Sequence, residues 1–178
     1  MTARQTLKRL QGFTLIEILL VVAMISILAV AVFVALNPAK RIIDSKNARR
    51  QNDVDSILSA VHQYIVDQKG ALPGGLAAGM VETQLGTGLA AVCSPLGTAV
   101  DPDCGVVAAT ACVDLLSGAN DLAKYLKSMP VDPTAGTTFT DAKTGYSIEV
   151  DTNGIVTVKA CGSETPAGES TVYISASR

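Results

Sequence analysis

The feature that most constrains this chain is an apolar run from Phe13 to Leu36, 24 residues in which only Thr14, Glu17 and Ser26 are polar. A helix rises ~1.5 Å per residue, so about 20 apolar residues cross a bilayer core of ~30 Å. No Pro or Gly interrupts the run. A spanning segment must satisfy its own backbone hydrogen bonds, and a helix does so. The run therefore predicts a transmembrane helix.

Glu17 is the unusual residue of this run, because a carboxylate in a membrane span is costly and its default interpretation is functional. It lies four residues, or about one helical turn, after Phe13. Residues 1–12 read MTARQTLKRLQG, a short segment with three cations, no acid and a glycine at its end.

This order of a basic leader ending in Gly12, then Phe-Thr-Leu-Ile-Glu, then an unbroken apolar helix resembles the N-terminus of type IV pilins and pseudopilins. The resemblance is close from Gly12 to about Leu36 and looser over the helix that follows. It implies that a prepilin peptidase cuts after Gly12 and methylates the new amine of Phe13. It also implies, as partners, identical and related pilin subunits, an inner-membrane assembly platform and membrane lipid.

Elementary electrostatics gives Glu17 a role in such a protein. Cutting between Gly12 and Phe13 creates an α-ammonium, and a buried pair of opposite charges costs less than either charge alone. Within one helix the geometry for this pair is poor, whereas between staggered neighbouring helices it can be good. Glu17 is therefore predicted to set the register of assembled subunits, as buried polar groups do in coiled coils. A plain anchor with a tolerated interfacial Glu17 stays as an alternative.

An ordinary secretory signal is a second alternative for the N-terminus, with Ala29-Val30-Ala31 as its cleavage site. Its apolar region is expected to run only ~7–15 residues without a charge, which disfavours it here. The positive-inside rule does not decide the orientation, because cations lie on both sides of the run. They are Arg4, Lys8 and Arg9 before it, and Lys40, Arg41, Lys46, Arg49 and Arg50 after it. The resemblance implies a leader inside and a single-pass subunit with an exported C-terminal domain.

The helical pattern continues beyond the apolar run. Apolar residues recur at helical spacing and form one stripe, comprising Val54, Ile57, Leu58, Val61, Tyr64 and Ile65. Pro38 predicts a kink and Gly70 an end, giving a helix of roughly 55 residues. Four segments are predicted: a leader (1–12), a transmembrane and filament-core helix (13–36), its amphipathic continuation (37–69) and an exported globular domain (70–178).

The exported domain is predicted to be an α+β unit in which a small antiparallel sheet packs on the amphipathic stripe. Tyr146–Val150 and Ile155–Val158 alternate around Asn153-Gly154, which predicts a β-hairpin, and residues 171–175 predict a third strand. Residues 74–111 are predicted to form a long loop. A short helix is expected after Asn120, with Leu122, Tyr125, Leu126 and Met129 on one face. The string from Leu126 to Pro133 is similar to a loop of many pseudopilins, with Thr134 in place of their usual aromatic residue.

Charge and residue chemistry exclude several classes of function. Residues 70–178 hold 5 Lys or Arg and 11 Asp or Glu, so their net charge of −6 argues against direct nucleic-acid binding. His62 is the only histidine and has no partner at catalytic spacing, so no enzyme activity is expected. No cofactor is expected. Calcium remains a family possibility, with Asp101, Asp103, Asp132 and Asp151 as candidate ligands.

Four cysteines, Cys93, Cys104, Cys112 and Cys161, follow the apolar helix. They contain no C-x2-C pair, which disfavours zinc, so no metal site is expected from them. An exported domain favours two disulfides, and the expected pairs are Cys93–Cys104 and Cys112–Cys161. Free thiols stay as the alternative, since the compartment is itself an inference.

The sequence therefore favours a structural subunit of a type IV pilus-like filament, cut after Gly12, methylated at Phe13 and polymerising through its N-terminal helix. A pseudopilin of a type II secretion or DNA-uptake machine has the same fold and chemistry and stays as the first alternative. A membrane-tethered binding module that never polymerises is the alternative from another class.

Overall fold

The computed structural model describes residues 12–89, 93, 104, 112–118, 122–134 and 139–178. The chain divides into two compact units, one that ends at Arg41 and one from Ile42 to Arg178. Its elements are α1 (Leu15–Leu36), α2 (Pro38–Asp67), β1 (Met80–Gln84), β2 (Tyr146–Val150), β3 (Val156–Ala160) and β4 (Ser175–Ser177). The predicted α+β class, a long helical N-terminus with a small antiparallel sheet, is confirmed.

The helical segment runs from Leu15 to Asp67 and is interrupted only at Asn37. Asn37 adopts a left-handed conformation, with φ 40° and ψ 74°. Its position explains the interruption, because the ring of a following proline disfavours the right-handed helical conformation. The irregularity that Pro38 predicts therefore falls one residue earlier, and Pro38 itself begins α2, where its missing N–H costs nothing.

The second unit is built on the apolar stripe of α2, as predicted. Val54, Ile57 and Val61 are fully buried in the same core as Ile148 of β2 and Val158 of β3. The sheet has the order β1-β2-β3-β4 and all of its strand pairs are antiparallel. Alternate residues of β2 and β3 point into this core, because successive side chains in a strand face opposite sides of the sheet.

The predicted hairpin of β2 and β3 is confirmed, and its turn shows why the sequence encodes it. The backbone N–H of Gly154 donates to the carbonyl of Asp151 at 3.1 Å. Gly154 has φ 86°, a conformation that glycine adopts without steric cost. The turn therefore favours a glycine at this position.

Three local predictions were wrong. β1 lies inside residues 74–111, which were expected to be a loop, since its apolar signal is short and the surrounding composition is rich in Gly and Ala. The last strand is Ser175–Ser177 and not residues 171–175. Asn120 lies outside the described residues, and the predicted helix after it is a single turn closed by the bond from Leu126 N to Leu122 O at 2.8 Å.

A buried ion pair ties α2 to the rest of its unit. The guanidinium of Arg50 donates to both carboxylate oxygens of Asp132, through Nε at 2.7 Å and one terminal nitrogen at 3.0 Å. Both side chains are fully buried. The same terminal nitrogen of Arg50 reaches Glu164 at 3.2 Å, and Lys46 reaches Glu164 at 2.9 Å. Three segments distant in sequence therefore meet at one guanidinium.

Electrostatic balance at this centre favours the charged state. Burial disfavours the charge of Arg50, but its bonds to Asp132 and Glu164 outweigh that effect and raise the pKa of Arg50 above its ordinary value. The backbone at Gly162 passes close to this ion pair, because a Cβ at Gly162 would lie 2.5 Å from a carboxylate oxygen of Asp132. A larger residue at position 162 would therefore displace the carboxylate.

Replacing Asp132 with Asn should destabilise the second unit strongly, because it leaves a buried guanidinium with reduced compensation. We expect a loss of about 3–5 kcal/mol in the free energy of unfolding. Urea unfolding of the full chain in mild detergent, followed by near-UV circular dichroism, measures it. Lys124→Gln is the matched control, since it breaks an exposed pair with Asp67 and should change stability little. Equal effects from the two variants would contradict the central role of the buried pair.

Candidate functional site

The predicted cleavage bond lies just before the first turn of α1. Gly12 and Phe13 precede the helix in the chain, and Phe13 is 84% exposed. A Cβ added at Gly12 would meet nothing within 4 Å, and Gly12 has no left-handed φ. The fold of this chain therefore does not require a glycine at position 12, so any requirement for it must come from a molecule that acts on the chain.

Glu17 and Thr14 form a reciprocal cap at the start of α1. The backbone N–H of Glu17 donates to the Thr14 hydroxyl at 3.3 Å. In return, Oε2 of Glu17 accepts from the backbone N–H and from the hydroxyl of Thr14, both at 2.9 Å. This capping box satisfies donors that a helix start leaves unpaired. Sequence reasoning assigned Glu17 an intersubunit role and missed this local one, although the Thr-x-x-Glu spacing signals it.

The cap uses one of the two carboxylate oxygens. Both bonds from Thr14 go to Oε2, and within residues 12–89 no hydrogen bond to Oε1 is found. A carboxylate oxygen can accept further hydrogen bonds. Glu17 can therefore cap its own helix and accept a bond from a second donor at the same time.

The remaining polar residue of α1 is also satisfied within the helix. The hydroxyl of Ser26 donates to the carbonyl of Val22 at 2.8 Å. Every residue of α1 is exposed in the isolated chain, including Leu15 at 83% and Phe33 at 65%. The helix therefore presents apolar side chains on all sides, with its few polar groups bonded internally.

Comparison with known protein families supports the interpretation of this segment. Residues 7–33 match the family model described as the prokaryotic N-terminal methylation motif. The chain therefore carries the signature of type IV pilins and pseudopilins. This signature implies processing by a prepilin peptidase and assembly with pilin subunits in a membrane machinery. Searches of curated proteins and of solved structures found no match to the chain.

The apolar helix fits the membrane anchor of a pilin-type protein. Among the described residues, one helical segment is long and apolar enough to cross a membrane, and none of its most apolar window is buried by the rest of the chain. A soluble protein would leave this much apolar surface in contact with water, which is strongly unfavourable.

The cysteines form two disulfides, but the predicted pairing was wrong. The bonds are Cys93–Cys112 and Cys104–Cys161, with Cα–Cα distances of 5.4 and 5.5 Å. Cys93 and Cys112 meet beside the carbonyl of Ala142. Spacing along the chain favoured neighbouring cysteines, whereas the pairing is set by β1 and by the segments hydrogen-bonded to it, including the bond from Val113 N to Gln84 O at 2.9 Å.

The Cys104–Cys161 disulfide is buried beside a polar cluster on the sheet. The Ser147 hydroxyl lies 3.4 Å from both sulfurs and donates to Glu82 at 2.5 Å, and Lys159 pairs with Glu82 at 3.0 Å. Ligand atoms of Glu82, Cys104 and Cys161 lie close together. As disulfide sulfurs, however, the two cysteines are not the thiolates that bind metal ions. The residues of this cluster therefore surround a disulfide cross-link, and their chemistry does not fit a metal centre.

The candidate calcium ligands are used otherwise where the structure describes them. Asp132 is occupied by Arg50. Asp151 accepts the backbone N–H of Ile155 at 2.7 Å and that of Asn153 at 2.8 Å, and these bonds hold the pKa of Asp151 below its usual value. Asp101 and Asp103 lie outside the described residues. Calcium binding remains a prediction without support from the two described aspartates.

The two disulfides should differ in their contribution to stability. Chain-entropy arguments give about 3 kcal/mol for a closed loop of ~20 residues and about 4 kcal/mol for one of ~60 residues. The separations here are 19 and 57 residues. We therefore expect Cys104→Ala/Cys161→Ala to lower the urea midpoint more than Cys93→Ala/Cys112→Ala. Peptide mapping of the unreduced protein tests the pairing. A Cys93–Cys104 peptide would contradict it.

Proposed function

We propose that this chain is the precursor of a structural subunit of a type IV pilus-like filament. A prepilin peptidase cuts after Gly12 and methylates the amine of Phe13, which removes the leader, residues 1–12. The subunit is then stored as a single-pass protein of the inner membrane, with residues 13–36 as its span and residues 70–178 exported. It polymerises with identical or related subunits through its N-terminal helix. This role needs no catalytic residue and no cofactor.

The observation that carries the proposal is the combination of the motif with the uncovered surface of α1. An apolar helix with no partner in its own chain must lie in lipid or against other helices. A membrane-tethered binding module needs only the first of these environments. The capped Glu17 favours the second as well, because Oε1 stays available for a donor outside the chain while Oε2 is held by Thr14.

The assembly step follows from this geometry. In a bundle of staggered helices, the Phe13 ammonium of one subunit can lie beside the Glu17 carboxylate of a neighbour, where the pair costs less than two isolated charges. The cap fixes the direction of the Glu17 side chain before any neighbour arrives. An interface repeated head to tail, without closing, produces a helical polymer.

The mature chain should begin at Phe13 and carry one methyl group on its amine. Gly12→Leu should leave the precursor uncut, although it does not disturb the fold, since position 12 is open in the structure. Intact mass spectrometry of membrane fractions measures both results, and Ala77→Leu, which lies 64 residues after Phe13 in the sequence, serves as a control for processing. A mature N-terminus near Val32, after the Ala29-Val30-Ala31 site, would show ordinary secretion instead.

Glu17→Gln should abolish fibres while leaving insertion and cleavage intact. Glutamine can keep the capping box, because Gln serves at this position as Glu does, but it cannot neutralise an ammonium. Thr14→Val is the matched control: it removes the hydroxyl from the cap and keeps the carboxylate, so fibres should persist. Glu17→Val should fail as Glu17→Gln does. Fibres are counted by electron microscopy, with processed subunit measured in the membrane fraction.

The pair of variants separates charge from helix capping. Normal fibre numbers from Glu17→Gln would show that the carboxylate charge is not the register device. Loss of fibres from Thr14→Val alone would assign the role to the cap. Imaging of sheared cell-surface material then distinguishes the two filament classes: long fibres that contain this chain indicate a pilus, and their absence with processed subunit present indicates a pseudopilin.

A further inference from the structure

We propose that Asn153 is a site of intramolecular deamidation, and that Asp151 restrains this reaction while the chain is folded. Asn153 lies in the turn between β2 and β3, where it precedes Gly154 and where both residues are exposed. This is the only Asn-Gly pair in the sequence. The turn belongs to the second compact unit. The modification needs neither cleavage nor assembly, so it goes beyond the proposed function and is independent of it.

The chemistry requires two groups that are neighbours in the chain. The backbone nitrogen of Gly154 loses its proton to hydroxide and attacks the side-chain carbonyl carbon of Asn153. A carbon–nitrogen bond forms, the bond from that carbon to Nδ2 breaks, and Nδ2 leaves as ammonia after taking a proton from water. Water then opens the resulting cyclic imide at either of its carbonyl groups and leaves aspartate or isoaspartate. Gly154 has no Cβ, so little steric hindrance opposes the attack.

Asp151 is hydrogen-bonded to both of the groups that would react. The backbone N–H of Gly154 donates to the carbonyl oxygen of Asp151 at 3.1 Å. Nδ2 of Asn153 donates to Oδ2 of Asp151, also at 3.1 Å. Ring closure requires the Gly154 nitrogen to give up the proton in the first bond, and it requires the Asn153 amide to move freely, which the second bond opposes. The attacking nitrogen and the leaving group are therefore both restrained by one residue.

The carboxylate of Asp151 is itself held in place by the backbone of the turn. Oδ1 accepts the N–H of Ile155 at 2.7 Å and that of Asn153 at 2.8 Å. These bonds hold the pKa of Asp151 below its usual value, so the group is ionised at neutral pH. The N–H of Asp151 also donates to the carbonyl of Ile155 at 3.0 Å. A charged acceptor makes stronger hydrogen bonds than a neutral one, and this acceptor is fixed against the side-chain amide of Asn153.

The position of the turn gives the restraint its structural consequence. The sheet has the order β1-β2-β3-β4, so β2 and β3 are its central strands. Val150 and Val156 pair across the base of the turn, and both are buried in the core that contains the apolar stripe of α2. Isoaspartate routes the backbone through the side chain and so lengthens the turn by its Cβ atom. Because turn geometry fixes the register of a hairpin, this change would disturb the pairing of the two core strands.

Peptide mapping of the full chain, incubated in mild detergent and mildly alkaline buffer, measures the rate at which position 153 is converted to aspartate and isoaspartate. Asp151→Asn keeps one side-chain oxygen for the backbone N–H groups but replaces the acceptor of the Asn153 amide with a donor. We expect conversion to be about tenfold faster in this variant, a factor typical of losing a hydrogen bond to a charged group. Asp114→Asn is the matched control, because Asp114 accepts the backbone N–H of Leu116 at 2.9 Å in a different segment. Its rate should equal that of the unaltered chain.

Two further measurements separate the local restraint from general instability. In urea, the unaltered chain and Asp151→Asn should be modified at the same, faster rate, because the folded turn is lost in both. Asp132→Asn weakens the buried ion pair with Arg50 and leaves the turn unaltered. It should therefore accelerate the conversion less than Asp151→Asn does, in buffer where near-UV circular dichroism shows that both variants are folded.

Equal rates in the folded unaltered chain and in folded Asp151→Asn would overturn the proposal. A difference between them that persists in urea would do the same, since it would not depend on the folded turn. An acceleration in Asp132→Asn or Asp114→Asn as large as that in Asp151→Asn would assign the effect to general instability. Absence of conversion at position 153 even in urea would show that Asn153 is not a site of deamidation.

Discussion

The surface of α1 is the constraint on which the account depends. From Leu15 to Leu36 no residue is buried by the rest of the chain, and the polar groups in the run are hydrogen-bonded within the helix. A helix that is apolar on all sides is stable only where lipid or other apolar protein surface covers all of its sides. The chain supplies no cover in its described residues, so the bilayer or other subunits must provide it. A storage state and an assembled state can therefore use the same surface.

If the chain assembles as proposed, Glu17 meets the needs of both states. In lipid a carboxylate is costly unless its oxygens are bonded, and Thr14 bonds one of them. In an assembled bundle the other oxygen can accept a hydrogen bond from the Phe13 ammonium of a neighbouring subunit. In the proposed subunit, the capping box would lower the cost of placing this charge in the membrane, and the charge would still be available for assembly. A plain membrane anchor does not need a carboxylate charge in addition to a helix cap.

The second unit depends on a different interaction, the burial of Arg50 against Asp132. This pair joins α2 to the segment that follows Pro130 and, through Glu164, to the segment after β3. The Cys104–Cys161 disulfide attaches the chain close to the same segment, since Cys161 lies three residues before Glu164. Together they hold the polar, glycine-rich connections onto a core that has few aromatic residues. These links add stability that a core with few aromatic residues supplies only in part.

The sequence predicted those parts of the structure that periodic patterns or short motifs specify. The apolar run, the α2 stripe and the Asn-Gly hairpin each follow from local spacing, and the structure has all three. β1 and the disulfide pairing were missed because they depend on contacts between distant segments. Arg50 was missed for a related reason: it lies in a run of cations that all look solvent-exposed, and only folding shows that Asp132, 82 residues away, buries it. The capping box, by contrast, is specified by the local spacing of Thr14 and Glu17 and was therefore predictable from the sequence.

If α1 forms the core of a filament, the same face of this helix is covered by lipid in the membrane and by protein in the filament. Because the described cysteines are all paired, a thiol introduced by Ser26→Cys can be labelled selectively with a nitroxide. Collisional accessibility of that label to oxygen and to a polar nickel complex is then measured in membranes and in lipid-free isolated filaments. We expect the label to be accessible to oxygen but not to the nickel complex in membranes, and to neither in filaments. Access of the nickel complex to the label in filaments would show that α1 is not the filament core and would contradict the account.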